Sequence, residues 1–194
     1  DESGQFAAFT EQGASASHMA AAKFMDAIAR MPGNSGEDSD AIGAYTQVSM
    51  AEAAKILGAE VVTPTWISLP PHKRPKSWDN IKDPVCPLLL NLYGHPLAGL
   101  LWEKYQEKAL LKLGWEKVIS WECLYVHRAK QLFLSCYVDD YKMAGRKGNI
   151  APMWEALKRE GIDLEPSVPV HENVYLGCGQ RTVEPNMEAI AKKR

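Results

Sequence analysis

Leu132-Phe133-Leu134-Ser135-Cys136-Tyr137-Val138-Asp139-Asp140-Tyr141-Lys142-Met143-Ala144 is the stretch from which the fold is read. Leu132, Leu134, Cys136 and Val138 alternate with Phe133, Ser135 and Tyr137, the period-two pattern of a strand. Asp139-Asp140 interrupts it, and Tyr141 to Ala144 reads as a second short extended piece. Two such strands with a tight connection make a hairpin, which holds both aspartates in fixed, exposed positions at the strand ends. Paired carboxylates there suit Mg²⁺, a hard ion that takes oxygen ligands and keeps several waters. A plain Asp-Asp turn is the competing reading, because Asp is favoured in turns for its local hydrogen bonding. Tyr137-Val138-Asp139-Asp140 would arise by chance in a chain this long roughly once in a thousand, on average residue usage.

Working outward, Ser17 to Met31 reads as a helix capped by Ser17, with Phe24, Ile28 and Met31 on one face, stopped by Pro32 to Gly36. An acidic turn, Glu37 to Asp40, leads to a short strand around Ile42, Ala44 and Tyr45. Ser49-Met50-Ala51-Glu52 has the form of a capping box for a helix ending at Gly58. Val61 to Leu69 looks extended, and residues 70–87 form a proline-rich connector. Gly99 to Leu113 predicts a helix burying Leu100, Leu101, Tyr105 and Leu111. Trp121 to His127 is a further strand, Pro152 to Glu160 a helix with Pro in its first turn, and Val174 to Leu176 a last strand. Helices and strands mix without strict alternation, which predicts an α+β fold rather than a doubly wound one.

The chain has 194 residues, 46% hydrophobic and 24% charged, with a mean hydropathy of -0.27, an ordinary globular composition that suits one domain. No apolar run approaches the ~20 residues of a membrane span. The N-terminal DESGQFAAF lacks the basic-then-apolar order of a signal peptide. The chain does not begin with Met, as a processed or excised piece would not. Cys86, Cys123, Cys136 and Cys178 lie 37, 13 and 42 positions apart with no CxxC, which speaks against structural zinc and for a reducing compartment. The net charge of -2 is unlike a dedicated nucleic-acid binder, but residues 1–40 carry -5 and the remainder +3. Lys73-Arg74-Pro75-Lys76 and Arg128 with Lys130 could meet phosphate or serve as solvated surface.

Residues 15–180, nearly the whole chain, resemble the palm of copia-type LTR retrotransposon reverse transcriptases. Tyr137-Val138-Asp139-Asp140 is similar to that family's palm-hairpin signature. Asp40-Ala41-Ile42-Gly43-Ala44-Tyr45-Thr46-Gln47 resembles its other catalytic motif, an Asp at a strand end followed five residues later by an aromatic. Residues 15–33 resemble the preceding helix. Leu92-Tyr93-Gly94 with Trp102 resembles a leucine-tyrosine-glycine segment with its tryptophan eight positions on, and Val174-Tyr175-Leu176-Gly177 a strand that grips the primer end. The pieces keep the family's order across residues 15–180.

The resemblance implies a polymerase palm-like antiparallel sheet packed against helices, with fingers incomplete and thumb absent. Residues 1–16 would be a loop or fingers remnant, 17–180 the palm-like domain and 181–194 a tail. It implies RNA-directed DNA synthesis, nucleotidyl transfer to a primer 3′-hydroxyl with two Mg²⁺ ions (Mn²⁺ as the alternative) held by Asp40, Asp139 and Asp140. Charge builds on the entering and leaving oxygens of that in-line displacement, and metals about 4 Å apart stabilise both. Asp40 and Asp139 would bridge the metals and Asp140 contribute more weakly, with Asp38 the rival of Asp40. Ala41, Tyr45 and Tyr137 would bind nucleotide, and Tyr93, Gly94, Leu176 and Gly177 primer or template. Tyr45 would clash with a ribose 2′-hydroxyl, or be a half-buried strand tyrosine. Tyr137 would meet the primer end or simply pack, and Leu176-Gly177 grips primer or is an ordinary strand end.

Implied partners are the template-primer, deoxynucleoside triphosphates and the rest of a Pol polyprotein (RNase H, integrase). The implied location is a cytoplasmic virus-like particle or the nucleus, with no membrane and no secretion. Where the family continues Leu-Tyr-Gly with Lys, Gln, Pro and Arg, this chain has His95-Pro96-Leu97-Ala98-Gly99-Leu100-Leu101. The basic finger strands would precede residue 1, and no lysine near residues 161–173 fits a general acid. A catalytically inactive remnant, acting as a nucleic-acid or protein-binding module, is therefore the alternative. An unrelated Asp-dependent metal hydrolase is a third reading.

Overall fold

Alternation at residues 132–137 produces the strand expected there, and that strand lies inside a larger sheet. The structure is a computed structural model describing residues 19–60, 63–180 and 191. The loop expected at 1–16, the cap at Ser17, residues 61 and 62 of the expected extended segment, and all of the tail at 181–194 but residue 191 lie outside the described residues. The elements are α1 (Met19–Ala29), β1 (Asn34–Asp40), α2 (Ala53–Leu57), β2 (Trp66–Ile67), β3 (Cys86–Pro87), α3 (Ala98–Lys112) and β4 (Glu116–Lys117). There follow β5 (Leu124–His127), β6 (Leu132–Tyr137), β7 (Asp140–Arg146), α4 (Lys147–Arg159), β8 (Val168–Pro169), β9 (Val174–Tyr175) and β10 (Cys178–Gly179). Six strands form one antiparallel sheet in the order β4-β5-β6-β7-β1-β8. β2 with β3 and β9 with β10 form separate two-stranded ribbons. The architecture is α+β.

The two faces of the sheet differ in chemistry. Leu132, Leu134, Cys136, Tyr141 and Met143 point to one side and pack against Leu101, Trp102 and Leu110 of α3 and Ile150, Trp154 and Leu157 of α4. The opposite face is apolar where Leu124, Phe133 and Ala144 meet Phe24, Met25 and Ile28 of α1, with Val118 and Trp121 alongside. Phe24 and Phe133 meet edge to face with ring centroids 5.0 Å apart. Among the described residues, no helix is long and apolar enough to cross a membrane.

Several expectations are corrected. Asn34 to Asp40, read as a stop followed by an acidic turn, is a strand between β7 and β8. It has no β-branched or large apolar residue, so its ladder hydrogen bonds, not its propensity, make it a strand. Ile42 to Tyr45 is not a strand. Gly43, at φ 56, starts a 3-10 turn over Ala44–Gln47. Ser49 accepts from the Ala51 amide instead of the Glu52 amide, because a 3-10 turn at Met50–Glu52 precedes α2, so the capping box does not form. Leu111 is 51% exposed, while Gln106 occupies the buried stripe with Leu101, Trp102, Ala109 and Leu110. Apolarity favoured Leu111, but helical phase favours Gln106, whose side chain accepts from the Tyr141 hydroxyl. α4 starts at Lys147, so Pro152 falls in its second turn. β5 is shorter than expected, because Ser120 and Cys123 have positive φ.

Gly145, the penultimate residue of β7 at φ 142, is a place where glycine is required: a Cβ there would clash with the Gln131 carbonyl oxygen. Gly145→Ala is expected to lower the unfolding free energy by about 2–4 kcal/mol. Gly148→Ala, in α4 with open space around it, should be neutral or stabilising by up to about 1 kcal/mol. Denaturant melts of the two variants check this pair.

Candidate active site

Insertion of β1 beside β7 brings together residues a hundred positions apart. Asp40, the last residue of β1, stands directly opposite Asp140, the first of β7. The Ala41 amide donates to the Asp139 carbonyl at 2.7 Å, so Ala41 and Asp139 form the hydrogen-bonded pair. Asp40 and Asp140 are then a non-hydrogen-bonded pair, the kind in which facing Cα atoms are only about 4.5 Å apart and side chains lie closest. Asp38 takes no part in that pair. It is 1% exposed, faces Lys142 two register steps inside the sheet, and its oxygens make no hydrogen bond of good geometry.

The turn itself is strained and braced. Tyr137 pairs with Asp140, leaving Val138 and Asp139 as a two-residue loop. Val138 has φ 54, a conformation a β-branched residue rarely adopts. Its carbonyl accepts from the indole Nε1 of fully buried Trp102 in α3 at 2.6 Å. A turn that would favour glycine is thus held from beneath by a core residue. A ring buried in this way is closed to base stacking.

Crowding of carboxylates shows in their protonation. Burial first, then Asp40 and Asp139, raises the Asp140 pKa to about 6. Asp40 is also raised, by burial, Glu165 and Asp139. Both carboxyls therefore hold a proton more readily than an ordinary aspartate. Asp38 is raised to about 6 by burial, with Lys142 opposing and Asp26 adding.

The predicted tyrosines converge beside the turn. Tyr45, in the 3-10 turn, lies on Tyr93 with ring centroids 4.3 Å apart and planes at 42°. The Tyr45 hydroxyl pKa is raised by burial, then by Tyr93, Asp139 and Tyr137, which lie near it. Gln47 fastens this segment by donating to the Ile42 and Asp163 carbonyls and accepting from the Asp163 amide. Gly94 follows Tyr93 at φ 90. Ala41 is buried in the core, bridged to Leu164, with its amide given to Asp139. Leu176 and Gly177, at φ 47 and 75, form the tip of the β9–β10 hairpin. Tyr175 of that hairpin is buried; burial raises its phenol pKa, opposed by its hydrogen bond to Ser135.

Lys142 is the functional-looking residue that the sequence reading passed over. It is 2% exposed, pairs with Asp26 at 2.7 Å, lies 3.8 Å from Asp38 and sits 4.5 Å from the centroid of the Tyr175 ring. The available signal was phase: Lys142 shares the strand face of Tyr137 and Asp140, not that of Tyr141 and Met143. His95 accepts from the Leu97 amide through Nδ1, so Nε2 carries the proton toward Thr65. It is a neutral turn residue, with its pKa lowered by burial. Arg74 spends its guanidinium on Leu69 and Ser68, and Arg128 pairs with Glu116 at 3.0 Å.

Asp40, Asp139 and Asp140 are all-oxygen donors, the chemistry Mg²⁺ prefers. Among the described residues, however, no three His, Cys, Asp or Glu side chains are gathered closely enough to hold a metal ion.

No protein-family model matches the chain, and no curated protein matches it. Among solved structures it is similar to telomerase from Candida albicans, solved in complex with the TWJ fragment of telomeric RNA, at 11% identity and a TM-score of 0.44. That similarity covers 89% of this chain and 32% of the telomerase chain, so the sequence spans about a third of that protein's length.

A carboxyl whose pKa is raised on folding binds a proton in the folded state that the unfolded chain releases. Its stabilising share is complete below the ordinary value of 3.8 and is lost as pH rises through about 6. Asp140→Asn removes that loss. It should raise the melting temperature at pH 7.5 and change it little at pH 4, a difference read by thermal denaturation at the two values.

Proposed function

We propose that this chain is the palm of a copia-type retrotransposon reverse transcriptase, an RNA-directed DNA polymerase that joins deoxynucleotides to a primer 3′-hydroxyl. The observation that carries the reading is the register that sets Asp40 against Asp140 beside the Tyr137-Val138-Asp139-Asp140 turn. Three carboxylates from distant motifs at one sheet end are what two-metal nucleotidyl transfer requires of a protein.

Asp40, Asp139 and Asp140 would hold two Mg²⁺, or Mn²⁺, whose chemistry is to neutralise charge on the entering and leaving oxygens. The chain's own residues do the positioning. Trp102 holds the turn so that the aspartates stay at the strand ends. Tyr45, backed by Tyr93, would form the wall against which an incoming sugar rests, with Tyr137 near it. The tip at Leu176 and Gly177 would bear on the primer end. Template-primer and deoxynucleoside triphosphates are the substrates of this reading. The remaining parts of a Pol polyprotein, RNase H and integrase, are its partners, and a cytoplasmic particle or the nucleus its location.

A second reading, a palm that keeps the fold without the reaction and at most binds nucleic acid or protein, is favoured by a specific observation. The carboxylates are not gathered to a metal-holding distance, and the segment after Gly94 offers only a neutral His95 where template contacts would be polar.

Primer extension on a homopolymeric RNA template with Mg²⁺ or Mn²⁺ separates the readings. Incorporation that falls at least about a hundredfold in Asp139→Asn is the expected result. Incorporation that survives the substitution sinks the polymerase assignment. Template-primer binding without any extension by the unmodified chain is the outcome of the second reading.

A further inference from the structure

Lys142 is an unusual residue to find in the middle of a central strand. Burying an ammonium costs several kcal/mol, and a well-packed apolar residue would often serve stability better. Its neighbours account for its presence there. Lys142 lies on the same sheet face as Asp40 and Asp140, opposite Ser135 on β6 and Asp38 on β1. It donates to Asp26 Oδ1 of α1 at 2.7 Å and leaves a cationic face 4.5 Å from the Tyr175 ring. The same Asp26 oxygen accepts from Gln180 Nε2 at 2.5 Å, and Arg30 donates to Gln180 Oε1 at 2.5 Å.

Tyr175 and Gln180 flank the β9–β10 hairpin, one within its first strand and one just after its second. Both attach to the same Lys142–Asp26 pair. The Tyr175 hydroxyl adds a hydrogen bond to Ser135 at 3.2 Å. The rest of the hairpin looks outward: Val174 is 60% exposed, and Cys178 and Gly179 are exposed. A two-stranded hairpin is at best marginally stable alone, so its place over the sheet is set by what it docks on.

We propose that Lys142 is a positioning residue that fixes the β9–β10 hairpin, and with it the Leu176-Gly177 tip, over the sheet end carrying Asp40 and Asp140. The ammonium does this through Asp26, which receives Gln180, and through the face of Tyr175, a cation–π contact strengthened by burial. The consequence for primer binding rests on the polymerase reading; the fixing of the hairpin does not.

A nitroxide spin label on Cys178, the one exposed cysteine of the four, reports the hairpin directly once Cys86 and Cys123 are replaced by serine. The label should be strongly immobilised in the otherwise unchanged chain, freed in Lys142→Met, and immobilised again in Lys142→Arg, which keeps the cation. Gln180→Ala cuts the same bridge from the hairpin side without touching the core and should also free the label, which covers a Lys142→Met chain that fails to fold. In primer extension, Lys142→Met should raise the KM for template-primer about tenfold while kcat stays within about twofold. A label equally immobile in Lys142→Met and Gln180→Ala overturns the proposal. So does a fall in kcat with KM unchanged, which would mean that Lys142 acts on the aspartates. If the unmodified chain extends no primer, the polymerase reading fails, and the spin-label spectra still decide whether Lys142 holds the hairpin.

Discussion

The register of β1 against β7 is the constraint on which the rest of the molecule depends. Side chains alternate faces along a strand, so a slip of one residue would send Asp38 and Asp40 to the side packed on α3 and α4 and bring Glu37 and Ser39 to the side of α1. Strands usually fix register through their apolar residues, and β1 has none. Small residues and hydrogen bonds serve instead. A Cβ on Gly36 would stand 2.7 Å from the Ala29 methyl, so α1 can lie on the strand only at that position. Ser39 donates to the Glu165 carbonyl at 2.9 Å, and Ser167 to the Glu37 carboxylate at 2.7 Å. At the far end, the Lys147 amide donates to the Gly33 carbonyl. Asp40 meets Asp140 because contacts along the whole strand exclude every other alignment.

The two faces divide the work. Apolar packing against α3 and α4 holds the sheet together, and each Leu buried there contributes roughly 1.5–3 kcal/mol. The opposite face buries Asp38, Ser135, Lys142 and Tyr175, groups whose desolvation is offset by their contacts with one another and with Asp26. Such a face gains little stability from its polarity. Local rules broken together, a buried Asp38 without a hydrogen bond and a positive-φ Val138, mark strained or functional ground in a fold that is otherwise consistent.

What could be read from the chain follows from where each signal resides. The β6–β7 hairpin was legible because period-two alternation and a turn are local. The pair Asp139-Asp140 was legible because its string is rare. Asp40 came only by resemblance, since pairing across a hundred residues leaves no local trace, and β1 itself was hidden by its polar composition. The burial of Gln106 in place of Leu111 was missed because helical phase outweighed hydrophobicity. Lys142 was missed because a lysine between Tyr141 and Met143 reads as a solvent-facing residue until α1 and the hairpin are known to cover that face.

Trp102 gives the molecule something beyond support for its turn. Of the three deeply buried indoles, those of Trp115 and Trp154 have no hydrogen-bond partner, whereas Trp102 is bonded to the Val138 carbonyl. Its indole proton is therefore set apart from theirs by a short bond to the loop that bears Asp139. Exchange of that proton with solvent requires the loop to lift. A single resonance thus carries a native, label-free record of how often the two aspartates leave their place.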